Sequence, residues 1–219
     1  MSGPTLGTHN LHDEAGRVTL FADAVGFTEA KPRKVRAKVA ARLSRIRARL
    51  GGYRVRVCRR QRDLVFVCRR KVWRITNTRY VPVHGGEAEV TPHRGTFVIE
   101  LERVASPHPA AEPEVVLLPH RINAAFPPYV RGEGVFRERR WRKHATTDNR
   151  LVEEYLQRGY IVHALGDFNT PPGVLAVRAL PWEVGRGFDR IASTLDLDEV
   201  TYLGRAGSDH PRLRARLAR

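Results

Sequence analysis

Apolar residues along this chain come in short runs, each ended by glycine, proline or a polar cluster. Runs this short suit buried β-strands better than helices. They predict a first strand ending within 8–12 and a second over 22–30. Further strands are expected over 53–58, 64–68, 72–76, 95–102, 115–119 and 160–165, leading on from 187–191, over 199–203, and after 207–211. Two stretches carry helical spacing instead. From Pro32 the apolar positions Val35, Val39, Leu43, Ile46 and Leu50 recur at spacings of four and three, and Gly51-Gly52 supplies a stop. The lysines and arginines of this stretch fall on the other face and read as a solvated surface. The second helix, over 137–158, offers Trp141, Leu151, Val152, Tyr155 and Leu156 as apolar contacts. Segments 105–113 and 121–136, broken by prolines, alanines and glycines, read as loops. Many strands with few helices imply an α/β protein whose sheets need helical cover. The 219 residues read as one domain, 1–219, with a substantial core.

Polar residues recur where the apolar runs stop. In VHALGDFNTPP (162–172), a buried strand ends in Gly-Asp-Phe-Asn and then meets two prolines, which continue neither strand nor helix. While the chain stays extended, Asp167 and Asn169 project to one side and Phe168 to the other, toward the core. A carboxylate beside a carboxamide suits a metal, a phosphate or an attacking water; a lone Asp-x-Asn also reads as an Asx-type turn. Asn10, Glu29, His120, Asp189, Asp209 and His210 occupy similar positions. Singly, each has a structural explanation: Asn10 as a cap for Asp13-Glu14, Glu29 as a solvated residue, His120 as a loop histidine, Asp189 as a partner for Arg186 or Arg190. Their recurrence at strand ends, where α/β folds collect ligand chemistry, favours a site.

The order of these pieces resembles the endonuclease/exonuclease/phosphatase superfamily. THN (8–10), ADAVGFTEA (22–30), VVLLPH (115–120), GDFN (166–169), FDRI (188–191) and GSDHP (207–211) match its motifs in sequence order over nearly the whole chain. The resemblance implies a four-layer α/β sandwich, two β-sheets face to face with helices outside. It also implies Mg²⁺, with Mn²⁺ as the alternative. Glu29 would be the main metal ligand, with Asn10 beside it and Asp209 holding the metal directly or through water. Asp167 would orient or deprotonate the attacking water, and Asn169 would bond a phosphate oxygen. His210, oriented by Asp189, and His120 would face the phosphate, and Arg94 would clamp it. The chain departs from the family in its short Asn10–Glu29 interval, in Thr28 where Gln is common, and after His120, where RINAAFPPYVRGEG has no clear counterpart.

Charge bears on the substrate. The net charge is +16, with 39 Lys and Arg against 23 Asp and Glu. That favours a polyanionic partner, nucleic acid first and DNA above RNA. The basic segments 31–62 and 137–150 suit backbone phosphates. Cys58 and Cys68 flank a hairpin turn and could be cross-strand neighbours, but two buried free thiols are the favoured reading. Trp73, Trp141 and Trp182 suit core or edge packing better than base stacking. The N-terminus lacks the basic and apolar regions of a signal peptide, and no apolar run reaches membrane-spanning length, so an intracellular protein without a membrane partner is expected; the sequence leaves the oligomeric state open, with a monomer favoured. The leading expectation is a Mg²⁺-dependent nuclease. The alternatives are a phosphoesterase for a small phosphorylated molecule or lipid headgroup, and a non-catalytic nucleic-acid binder.

Overall fold

The computed structural model describes residues 4–11, 20, 22–37, 52–84, 94–104, 112–121, 133–170, 176–186, 189–204, 210 and 212–218, with only the backbone described at 133–136 and 186. One six-stranded sheet contains, in spatial order, β11 (Leu197–Tyr202), β12 (Leu213–Leu217), β1 (Thr5–Asn10), β2 (Ala24–Thr28), β4 (Val65–Arg69) and β3 (Tyr53–Val57). The other contains β5 (Trp73–His84), β6 (Arg94–Arg103), β7 (Glu114–Pro119), β8 (Ile161–Asp167), β10 (Asp189–Ser193) and β9 (Trp182–Arg186). Residues 32–37 begin helix α1, and α2 runs Glu133–Gln157.

Strict alternation builds the layers. Phe66 and Cys68 of β4, Ile99 and Leu101 of β6, Val116 and Leu118 of β7 and Leu165 of β8 share the cluster between the sheets. Their sequence neighbours Val98, Val115, Leu117, Val162 and Ala164 face outward and pack with Leu151, Val152 and Tyr155 of α2. On the other outer face, Val25, Phe27, Val65 and Val67 pack with Val35 of α1. Strands buried on both faces read as continuous apolar runs, and each large side chain so buried contributes roughly 1.5–3 kcal/mol. The sheets approach closely at Gly26, where a Cβ would stand 2.7 Å from Leu118 Cδ1. The expected four-layer sandwich is the observed one.

Several boundaries differ from the expectation. β5 extends to His84, eight residues beyond 76, because it pairs antiparallel with the whole of β6. The helix expected from 137 begins at Glu133, inside a segment read as loop. β9 was not legible as a strand: it is held as an edge by its antiparallel pairing with β10 rather than by an apolar run. Residues 38–50, the rest of the first expected helix, lie outside the described residues. Cys58 and Cys68 are buried free thiols, and burial pushes the Cys68 thiol up to about 12. Cys68 stands opposite Arg54, so the two cysteines are not cross-strand partners. Trp73 is buried, while Trp182 lies exposed on the edge strand. No helix among the described residues is long and apolar enough to cross a membrane.

Candidate active site

Strand direction gathers the polar residues at one mouth of the sandwich. β1 and β2 run parallel, so Asn10 and Glu29 leave the first sheet on the same side. β4 and β12 run antiparallel to β2 and β1, which places Asp63 and His210, just before those strands, on that side too. In the second sheet β7 and β8 are parallel and end at His120 and Asp167. β6 and β10 are antiparallel to them and begin with Arg94 and Asp189.

The two sets meet across the gap in strand order. From one side to the other, β12 faces β10 through His210 Nδ1 and Asp189 Oδ2, 2.7 Å apart. β1 faces β8 through Asn10 Nδ2, which donates to Asp167 Oδ2 at 3.0 Å. The end of β2 faces that of β7 through Glu29 Oε1 and His120 Nε2 at 3.1 Å. The start of β4 faces that of β6 through Asp63 Oδ2 and Arg94 Nη1 at 3.3 Å. Asp63 Oδ2 also lies 3.2 Å from His120 Nδ1, tying the last two pairs together.

Local backbone explains how Asp167 is held. Gly166 has φ 154°, and a Cβ there would stand 2.5 Å from Pro119 O, so the close β7–β8 approach requires glycine. The ladder continues through an isolated His120–Asp167 bridge, and Arg121 N donates to Asp167 O at 3.0 Å. After Asp167 the chain does not stay extended. Asn169 adopts φ 46°, and its backbone N–H donates to Asp167 Oδ1 at 3.0 Å, forming the Asx turn. The side-by-side projection expected of Asp167 and Asn169 is thereby corrected. Asn169 Nδ2 donates instead to Arg121 O at 2.8 Å. Phe168 is buried beneath α2, as its alternation predicts. Glu29 has φ 51°, a left-handed conformation that costs a non-glycine residue on the order of 1 kcal/mol and marks a constrained turn.

Electrostatics divides the mouth. Burial and the nearby Arg94 charge oppose the His120 imidazolium, but the hydrogen bonds of Asp63 and Glu29 outweigh them and raise its pKa. Burial also pushes Asp63 up, yet its bond to the His120 ring and the His120 and Arg94 charges hold it below the usual carboxylate range. Arg94 Nη1 comes to 2.5 Å of His120 Nδ1. Asp63 Oδ2 lies beside both groups, 3.3 Å from Arg94 Nη1 and 3.2 Å from His120 Nδ1. Burial pushes the Asp189 carboxyl up to about 7; the Asp167 charge adds to the push and His210 opposes it.

The arrangement unites Asn10, Glu29, Arg94, His120, Asp167, Asn169, Asp189 and His210 at one mouth, whereas Asp209 lies outside the described residues. Glu29, His120 and Asp167 each present a ligand atom within 4.8 Å of the others, a group able to hold a metal ion. Glu29 and Asp167 supply the hard oxygens that Mg²⁺ and Mn²⁺ take, whereas an imidazole nitrogen such as that of His120 suits softer transition metals better. Asp63 escaped the motif reading, although the sequence carries a signal: it is the sole acidic residue between Glu29 and Glu87. Arg121 escaped it too. Buried behind the mouth, it donates from Nε to Asp148 at 2.8 Å and from Nη2 to Ala176 O at 2.8 Å.

No protein-family model and no curated protein matches the sequence. Solved structures match its fold. An endonuclease/exonuclease/phosphatase family protein from Bacteroides thetaiotaomicron aligns at a TM-score of 0.67 and 12% identity, over 99% of this chain and 95% of that one. The mannosyl-6-phosphatase Bt3783 of the same organism aligns at 0.64 and 12%, over 99% and 100%. D. rerio TDP2 complexed with a single-strand DNA product aligns at 0.61 and 14%, over all of both chains. With its strands ending at one polar mouth, the chain thus has the DNase I-like sandwich fold of the endonuclease/exonuclease/phosphatase superfamily.

Proposed function

We propose that this protein is a metal-dependent phosphodiesterase acting on nucleic acid, with DNA as the favoured substrate. The observation that carries the reading is the row of four cross-sheet polar pairs at one mouth of the sandwich, in a protein of net charge +16. Glu29, with Asn10 and Asp209 beside it, would hold Mg²⁺ or Mn²⁺. When bound, the cation supplies charge neutralisation at the developing oxyanion.

The protein's own groups account for the rest. Asp167 is fixed at both oxygens, by Asn10 and by the Asn169 N–H, so its carboxylate meets an attacking water in one orientation. It takes the water proton as the water oxygen bonds to phosphorus. The bond from phosphorus to the leaving oxygen breaks, and His210, with Nδ1 held by Asp189, provides that oxygen's proton from Nε2. Arg94 and His120 place positive charge on the phosphate side, and Asn169 serves by locking the turn that positions Asp167.

The test is nicking of supercoiled plasmid with Mg²⁺, with EDTA, and by Asp167→Asn. We expect metal-dependent nicking that falls about a thousandfold in the variant. Folded wild-type protein that leaves the plasmid intact under all conditions overturns the DNA reading. The likeness to a mannosyl-6-phosphatase favours one second reading, a phosphoesterase for a small phosphorylated molecule. Turnover of a sugar phosphate with DNA left uncut would establish it.

A further inference from the structure

The positive charge is not spread along the chain. Residues 30–86 contain 19 Lys and Arg and one acid, Asp63, for a net +18; the other residues, with 20 basic and 22 acidic, sum to −2. A general bias toward arginine would raise every segment alike, so this concentration is specific to one stretch of the chain. Part of it lines a cavity of about 1280 Å³ between the start of α1, the β3–β4 hairpin and β5. Nine of its described lining residues are Lys or Arg, and none is Asp or Glu. Arg33, Arg36, Arg56, Arg59, Arg60 and Arg62 line it, all exposed. No described carboxylate forms an ion pair with any of these six. Arg79, at the inner wall, is paired with Glu154 at 2.8 Å.

Two further features identify the occupant. The floor is apolar, with Val55, Val57, half-buried Tyr80 and buried Phe97. A basic rim over an apolar and aromatic floor suits a phosphate backbone whose bases or sugars turn inward. The volume exceeds the roughly 300–1,000 Å³ of small-ligand pockets. The cavity also adjoins the candidate active site. Lys31 follows Glu29 by two residues, Arg62 immediately precedes Asp63, and the Tyr80 hydroxyl donates to Gln61 of the same turn at 3.1 Å. The turn that presents arginines to the cavity thus presents Asp63 to His120 and Arg94.

We infer that this cavity is a binding track for single-stranded nucleic acid, holding the backbone that flanks the scissile phosphate and reading no sequence. The inference rests on the phosphodiesterase reading for its link to the mouth, but binding is measurable without chemistry. The experiment titrates fluorescent oligo-dT of graded length, and a duplex of matched length, with the full chain in EDTA at several salt concentrations. Arg33→Glu/Arg36→Glu/Arg56→Glu and the matching triple Gln variant run in parallel. Turnover of bis(p-nitrophenyl) phosphate with Mg²⁺ serves as a separate readout of the chemistry.

The expected result is affinity that grows with oligonucleotide length and exceeds that for duplex. The Glu variant loses about tenfold or more in affinity at 0.1 M salt, and its log–log salt slope becomes shallower by about 2, at roughly 0.7 per phosphate contact. The Gln variant falls between, and small-diester turnover is unchanged by either. Equal affinity of the three proteins overturns the track. Preference for duplex, or equal competition by poly-glutamate, overturns its assignment to single-stranded nucleic acid. Absence of small-diester turnover in the wild type counts against the phosphodiesterase reading alone.

Discussion

Strand β7 carries a carboxylate–imidazole pair at each end, and the two ends behave oppositely. At its close, His120 Nε2 lies 3.1 Å from Glu29; at its start, Glu114 Oε2 lies 3.0 Å from His163 Nε2. The second pair even has a serine in line, with Ser193 Oγ 2.9 Å from His163 Nδ1, an order familiar from nucleophilic enzymes. Yet Glu114, His163 and Ser193 have no exposed surface. Trp73 Nε1 and Arg103 also donate to Glu114, and Ser193 Oγ accepts from Leu195 N. Glu114, His163, Trp73 and Ser193 are all hydrogen-bonded inside the protein, with only Arg103 Nη2 left buried without a bond, so the cluster closes the far end of the core. At the mouth the groups remain within reach of solvent: the Glu29 and Asp63 side chains are 22% and 32% exposed. Asp189 Oδ1 is buried without a hydrogen-bond partner, and Glu29 and Asn169 hold left-handed backbone. Matching side-chain geometry therefore does not make a site; unsatisfied capacity and access do.

Removing charge at the sealed end should cost the most stability. Glu114→Gln leaves His163 and Arg103 without their carboxylate, which costs about 3 kcal/mol in urea unfolding, while the folded protein keeps its plasmid-nicking rate. Burial pushes Glu114 up, but the His163 bond and the His163 and Arg103 charges outweigh it and hold the folded pKa below its ordinary value. That stabilisation is present above the ordinary glutamate pKa of about 4.3 and is lost as pH falls through the depressed folded value. The Gln variant should show a flatter acid limb.

At the mouth the sign reverses. Burial raises Asp189 to about 7, so its ionised form disfavours folding. The contribution is intact below the ordinary aspartate pKa of about 3.9 and is lost as pH rises through about 7. Asp189→Asn should therefore be more stable than wild type at pH 8 in EDTA, by up to a few kcal/mol, with the advantage shrinking toward pH 4. Its nicking rate should fall, because the amide orients His210 without stabilising an imidazolium. A variant less stable than wild type at pH 8 would contradict the comparison.

The smallest effect belongs to the turn. Asn169→Gly keeps the left-handed backbone and the bond to Asp167 Oδ1 but loses the one to Arg121 O. It should cost about 1 kcal/mol and lower nicking by no more than about tenfold. A drop as deep as that of Asp167→Asn would restore direct phosphate contact to the Asn169 side chain.

The local pattern was enough to place the strands, their two buried faces and the polar residues where they end. Alternation and chain punctuation are properties of neighbouring residues, and a resemblance in motif order joins Asn10, Glu29, His120, Asp167, Asp189 and His210 into one site. The chain also marked Asp63, as one acid in a long basic stretch, though nothing local gave it a partner. Tertiary structure alone decided that β12, β1, β2 and β4 face β10, β8, β7 and β6 in order, because that match depends on how two twisted sheets close over one core. From that closure come Asp63 against His120 and Arg94, the Asx turn that holds Asp167, the edge strand β9, and the gathering of distant arginines around one cavity. It also decided which of two similar carboxylate–histidine pairs would stay open, since solvent access depends on what packs above a residue rather than on the residues beside it in the chain.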